Sequence, residues 1–152
     1  MIFGHFANCI SVGGGLQYYK ITMCFRGIIM AEILLFNIEK SKAIKIKMLC
    51  RKFFMEAKEV SKEDFGCTIS YLLGRSDDRG GAEHADFSEE MLYFAGFDRG
   101  IFGIFLDQLK RQRANVALKA VQTETNVNFT AFELYKEISA EREAMARGTS
   151  AH

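Results

Sequence analysis

Lys119, Thr123, Thr125 and Asn126 are the side chains in this sequence whose types and spacing best suit holding an anion. In an alternating strand Lys119 stands on the same side as Ala117 and Val121, opposite Leu118, and an ammonium on a part-apolar face can hold a carboxylate or phosphate. Thr123-x-Thr125-Asn126 falls just past the carboxyl end of that strand, where open sheets tend to bind ligands. A helix start follows shortly, and its free N–H groups favour anions. Structural roles compete for the same residues. A lysine on an edge strand discourages sheet-to-sheet aggregation, and threonine and asparagine side chains satisfy local backbone groups where a strand ends. Gly96, with Phe97 at a strand-to-helix corner, completes the candidate ligand-binding set. That corner lacks the G-x-G-x-x-G spacing of a dinucleotide fingerprint and the lysine of a P-loop. Gly96 is therefore read as permitting the bend, and Phe97 as stapling the helix start to the core.

No catalytic residue is assigned. His84 sits in a polar loop among Glu83, Asp86 and Glu89, without the fixed partner spacing a metal site needs. Glu63-Asp64 and Glu89-Glu90 read as solvated surface. Cys9, Cys24, Cys50 and Cys67 form no C-x-x-C pair and have no histidine at ligand spacing. Cys50 falls on an apolar helical stripe, where a thiol acts as a small hydrophobe. No metal and no cofactor is expected, and the thiols suit a reducing, cytoplasmic setting.

Length and charge bound the rest. A chain of 152 residues suits one domain with a single substantial core. Net charge is +1, so total charge gives no footprint for nucleic acid or an anionic membrane, and neither is expected as a partner. The chain holds no Pro, so its turns must rely on Gly, Asn, Asp and Ser.

Those candidate residues need elements to position them. Ile33-Leu34-Leu35-Phe36 is a short apolar run, as in a strand buried on both faces. From Lys40 to Phe53, Ile46, Leu49, Cys50 and Phe53 recur at helical spacing, with lysines over much of the remainder. Met55 to Val60 alternates as an edge strand does. A short helical piece with Ile69, Leu72 and Leu73 ends at Gly74. A Gly-, Asp- and Ser-rich loop spans 75–90. Met91 to Ala95 repeats the apolar strand, Asp98 is an N-cap, and Phe102, Phe105, Leu106 and Leu109 mark a second amphipathic helix. Val116 to Val121 is the fourth strand. Thr130 and Glu133 form a capping box before a last helix that turns Ala131, Leu134, Tyr135 and Ile138 inward.

Sliding the chain by 59 positions lays Ile33 on Leu92, Ile38 on Phe97, Ile46 on Phe105 and Cys50 on Leu109. The expected fold is α/β: a four-stranded sheet from two βαβ-type halves plus a C-terminal helix. A ferredoxin-like sandwich is favoured because the halves repeat and the outer strands are polar. A small parallel, doubly wound, three-layer sheet is the alternative. Both put the first and third strands in the centre.

Residues 1–29 carry no acidic residue and no sustained periodicity. Met30 opens a run leading straight into the first strand, and Arg26-Gly27 can be encoded by a purine-rich string resembling a ribosome-binding site. Residues 1–29 are therefore expected to be a mis-assigned leader, 30–147 a single domain and 148–152 a disordered tail. An intact mass that includes 1–29 in protein made from the native locus would contradict this.

Met91-Leu92, Phe94-Ala95-Gly96-Phe97, Leu118-Lys119-Ala120-Val121, Thr123, Thr125-Asn126 and Glu133-Leu134-Tyr135 resemble an uncharacterised bacterial family, domain of unknown function 3783. Its members often carry Pro and Trp where this chain has Glu124 and Phe129. The resemblance implies no activity. The functional expectation is a small cytoplasmic, non-enzymatic module that binds a small molecule or a protein and is able to form a homo-oligomer, as ferredoxin-like domains often do. The alternative is an enzyme or a nucleotide- or anion-binding domain with its site at the end of the fourth strand.

Overall fold

The computed structural model describes residues 30–81 and 84–148. The expected leader and all but the first residue of the expected tail lie outside the described residues. Strands β1 (Glu32–Phe36), β2 (Glu56–Val60), β3 (Met91–Ala95) and β4 (Leu118–Val121) form one sheet in the order β2-β1-β3-β4. The helices are α1 (Lys40–Lys52), α2 (Ile69–Leu72), α3 (Arg99–Arg111) and α4 (Ala131–Ala146).

β1 and β3 are buried at every residue because helices cover both faces of the sheet. Ile33, Leu35, Leu92 and Phe94 pack with Ile46, Leu49, Phe105 and Leu109 of α1 and α3. Leu34, Phe36, Met91 and Tyr93 pack on the opposite face with Phe65, Ile69, Leu72, Ala131 and Leu134. β2 and β4 lie outside, which is why their apolar character is thinner.

The fold is α/β as expected, with β1 and β3 central, but the ferredoxin-like arrangement is corrected. A ferredoxin-like sheet splits its βαβ units and interleaves their strands. Here β1 pairs directly with β2, in parallel, and β3 with β4, also in parallel. The doubly wound alternative has the right three layers, yet β1 and β3 run antiparallel, so the sheet is mixed. Hydrophobic period reveals which faces a strand buries. Which strand takes each hydrogen-bonding edge is a separate matter, and that is where the expectation went astray.

The repeat itself is geometrically real. β1 and α1 coincide with β3 and α3 at a 59-residue offset, end for end. The turns coincide too: Asn37 (φ 55°) with Gly96 (φ 70°), and Phe54 (φ 55°) with Arg113 (φ 55°). Across the antiparallel pair Leu34 sits opposite Tyr93, its own counterpart, so a pseudo-two-fold axis crosses the sheet there. An axis normal to the sheet puts both crossover helices, α1 and α3, on one face, where they touch.

The symmetry extends to the other face. Thr68 and Thr130 cap α2 and α4, each accepting a hydrogen bond from a backbone N–H three residues on. They bridge to each other through paired bonds, Ile69 N–H to Phe129 C=O (2.8 Å) and Ala131 N–H to Cys67 C=O (3.0 Å). Thr130 completes its capping box by receiving Glu133 on its own N–H (2.8 Å).

Candidate functional site

At the end of β4 the expected residues do come together in part. Asn126 Oδ1 accepts from the Thr123 N–H (2.8 Å) and the Tyr93 hydroxyl (2.9 Å). Its Nδ2 donates to the Val121 carbonyl (2.9 Å), and Thr123 Oγ1 accepts from the Asn126 N–H (3.0 Å). These bonds close a turn and anchor it to the core. Burial raises the Tyr93 phenol well above its ordinary range, with the cation of Arg75 opposing. Thr125 is exposed and opens the 3-10 turn Asn126–Asn128 without a side-chain capping bond.

Lys119 is elsewhere. Leu118 and Ala120 point to the α2/α4 face, so Lys119 alternates to the α1/α3 face, away from Asn126 and its Tyr93 partner. Its ammonium donates to Asn115 Oδ1 (3.1 Å) and to the Val116 carbonyl. Burial, then repulsion from Lys110, lowers its pKa. Gly96 holds φ 70° at the bend after β3, the place its counterpart Asn37 fills after β1.

The premise for a ligand at this edge also changes. The ends of β3 and β4 lie beside the starts of β1 and β2, since Ala95 pairs with Glu32. The four carboxyl ends therefore do not share an edge. An ion pair occupies this end instead. Arg75 bonds Glu32 (3.2 Å), a buried residue, and Gln122 (3.0 Å). Burial raises the Glu32 pKa, Arg75 opposes it, and neighbouring Glu56 adds to the rise.

A cleft of about 580 Å³ lies on the α2/α4 side, at the 75–90 loop. Its walls include Lys62, Cys67, Arg79, Gly80, His84 and Asp86. The loop is tied down at both ends. The Thr68 hydroxyl donates to the Asp78 carbonyl (2.9 Å) and the Thr68 N–H to that of Arg79 (2.9 Å). Asn37 Nδ2 donates to the Phe87 carbonyl (2.6 Å), and Tyr135 to Glu89 (2.9 Å). Phe87 stacks on Phe65 and Tyr135, with ring centres 4.4 Å apart in each pair. Glycine is required at Gly80: its φ is +73°, and a Cβ would meet Thr68 Cγ2 at 3.0 Å.

Within the cleft Arg79 is held by two partners. Its Nε donates to the Cys67 sulfur (3.3 Å) and an Nη to Asp64 (3.1 Å). Those bonds, the one to Cys67 first, raise its pKa further. The Arg79 side chain is still 58% exposed. Lys62 faces Asp86 at 3.5 Å. The arrangement sets a fixed guanidinium, a lysine and a histidine beside the carboxylates of Glu63 and Asp86 around a polar hollow, with Arg79 the group placed to meet a carboxylate or phosphate. Sequence reasoning had placed only the loop and His84. Arg79 and Cys67 were missed because their meeting depends on the loop folding back over Thr68. The Asp78-Arg79-Gly80-Gly81 turn was the available signal.

Among the described residues no group of three or more His, Cys, Asp or Glu could hold a metal ion, and no helix is long and apolar enough to cross a membrane. No curated protein and no solved structure matches the chain significantly. The cleft walls precede the stretch for which a relationship is found. Residues 90–145, from β3 nearly to the end of α4, match the family model described as Domain of unknown function (DUF3783), the family that the second half of the sequence resembles.

Proposed function

We propose that this protein is a small cytoplasmic binding module of a bacterium, non-enzymatic, whose small-ligand site is the cleft at the 75–90 loop. The observation that carries the reading is the exposed Arg79 guanidinium, fixed by Cys67 and Asp64 at the wall of a 580 Å³ hollow. A charged fork held in place loses little freedom when it meets a carboxylate or phosphate. Buried, unpaired Cys50 and Cys67 support a reducing compartment.

Native mass spectrometry of the purified chain tests this directly. A retained small molecule is expected with the wild type and absent with Arg79→Gln, whose thermal stability should stay close to wild type because Arg79 is exposed. Thermal-shift titration with inorganic phosphate and succinate should show the same dependence on Arg79. If no mass is retained and neither anion stabilises the wild type, the cleft is not a ligand site.

The competing reading, an enzyme or a nucleotide- or anion-binding domain at the end of β4, draws support from the depressed ammonium of Lys119 and the exposed hydroxyl of Thr125. It asks Lys119 to act from the opposite face to Asn126. Replacing Lys119, Thr125 and Asn126 together should abolish anion-dependent thermal shifts on this reading and leave them intact on the first.

A further inference from the structure

Net charge conceals a strong asymmetry between the two faces of the sheet. α1 and α3, side by side, carry nine basic residues and one acidic residue, Asp107. α4 carries four acidic and two basic residues. On α1, Lys42 pairs with Glu90 and Lys47 with Glu59. Among the described residues, Lys40, Lys45, Arg51 and Lys52 have no carboxylate partner.

The same helices expose apolar side chains. Ile44 is 58% exposed and Met48 56% on successive turns of one face of α1, and Ile104 is 55% exposed on α3. Phe54, just past the end of α1, is 86% exposed and held at φ 55°. A left-handed conformation is unfavourable for a residue with a Cβ, and the aromatic ring gains no burial in return. These residues project from convex helices; the cleft lies on the other face of the sheet.

From this we infer that the outer face of α1 and α3 docks on an anionic bilayer surface. Ile44, Met48 and Phe54 enter the interfacial region, while Lys45, Arg51 and Lys52 meet lipid phosphates. Apolar side chains flanked by long basic ones match a soft surface with hydrocarbon beneath a negative layer. A second copy of the chain would bring like charges together. A nucleic acid would meet the lysines but give Ile44 and Met48 nothing to bury against, and an acidic peptide helix would need a groove.

The test is co-sedimentation of the full chain with vesicles of phosphatidylcholine alone and of equal parts phosphatidylcholine and phosphatidylglycerol. Binding is expected only to the mixed vesicles, falling as salt rises. Neutralising Lys45 or Arg51 to Gln should weaken it about fivefold each. Ile44→Asp with Met48→Asp should weaken it at least about tenfold while leaving thermal stability near wild type. Phe54→Gly separates binding from folding: it should weaken binding while raising stability. Absence of sedimentation with the mixed vesicles overturns the inference. So does equal binding by the wild type and the Ile44→Asp/Met48→Asp variant. Tighter binding to polyglutamate or duplex DNA than to the vesicles, lost in the same variants, would also overturn it and assign the face to a protein or nucleic acid.

Discussion

The two faces of the sheet are built from the same strands and differ in regularity and charge. The α1/α3 face comes from the parts of the chain that repeat, so it is regular and basic. The α2/α4 face comes from the connections that do not repeat. After β2 the chain makes a four-residue helix and a long loop; after β4 it makes a sixteen-residue helix. Around a shared axis at Thr68 and Thr130, a short helix opposite a long one leaves room, and the 75–90 loop fills part of it. The repeat supplies the scaffold, and the departure from it supplies the cleft.

Core truncation is the most forceful way to probe that comparison. Phe105 packs edge-on against Phe53, Phe94 and Phe97, and Phe65 packs against Phe36 and Phe87. Phe105→Ala and Phe65→Ala should each cost about 3–5 kcal/mol in urea denaturation. Only Phe65→Ala should also impair anion binding in the cleft. Equal binding losses would show that the faces are not separable.

The paired caps sharpen it next. Thr130→Ala and Thr68→Ala should each cost about 1 kcal/mol by the same measurement, Thr130 the more because its box caps the longer helix. Thr68→Ala removes in addition a tether of the cleft loop, so it alone should raise hydrogen exchange around Arg79. Additive losses in the double variant would argue against coupling across the axis.

Within the repeat, Phe54 and Arg113 occupy equivalent left-handed turn positions. Phe54→Gly and Arg113→Gly should each stabilise by roughly 0.5 kcal/mol, the relief of strain set against glycine's greater unfolded-state freedom. A gain at only one site would mean that the turns are less alike than their backbones.

The smallest effect is in the pH dependence. Burial works against the charge of Glu90, but the Glu39 N–H and Lys42 outweigh it and hold the pKa below the usual carboxylate range. Arg142, then Tyr135, do the same for Glu89. A depressed carboxylate contributes stability above its unfolded pKa and loses it as pH falls through the folded one. Thermal melts of Glu90→Gln should therefore show a shallower decline on the acid side. Glu32 has the opposite sign. Its raised pKa means that ionisation opposes folding, so its contribution worsens as pH rises from its unfolded pKa through its folded one.

Much of the fold was legible before any coordinates. β1, α1, α2, β3 and α3, the Asp98 cap and the Thr130–Glu133 box fall where spacing and capping chemistry put them. Those features are local, set within a few residues by side-chain period and hydrogen-bonding capacity. The site was less legible. Thr123 and Asn126 meet because they are three residues apart. Lys119 fails to join them because strand alternation turns it to the other face. Arg79 and Cys67, twelve residues apart, meet only after the loop closes.

The residues alone determined the elements, the 59-residue repeat and the central places of β1 and β3. Burying apolar side chains is demanded by composition, and period-two and period-3.6 patterns leave little choice of how to do it. Tertiary structure decided the strand pairing, the antiparallel junction at Leu34 and Tyr93, and with it the placing of both lysine- and arginine-bearing helices on one face. Backbone hydrogen bonds are nearly indifferent to sequence, so which edges join is settled by how the whole chain packs.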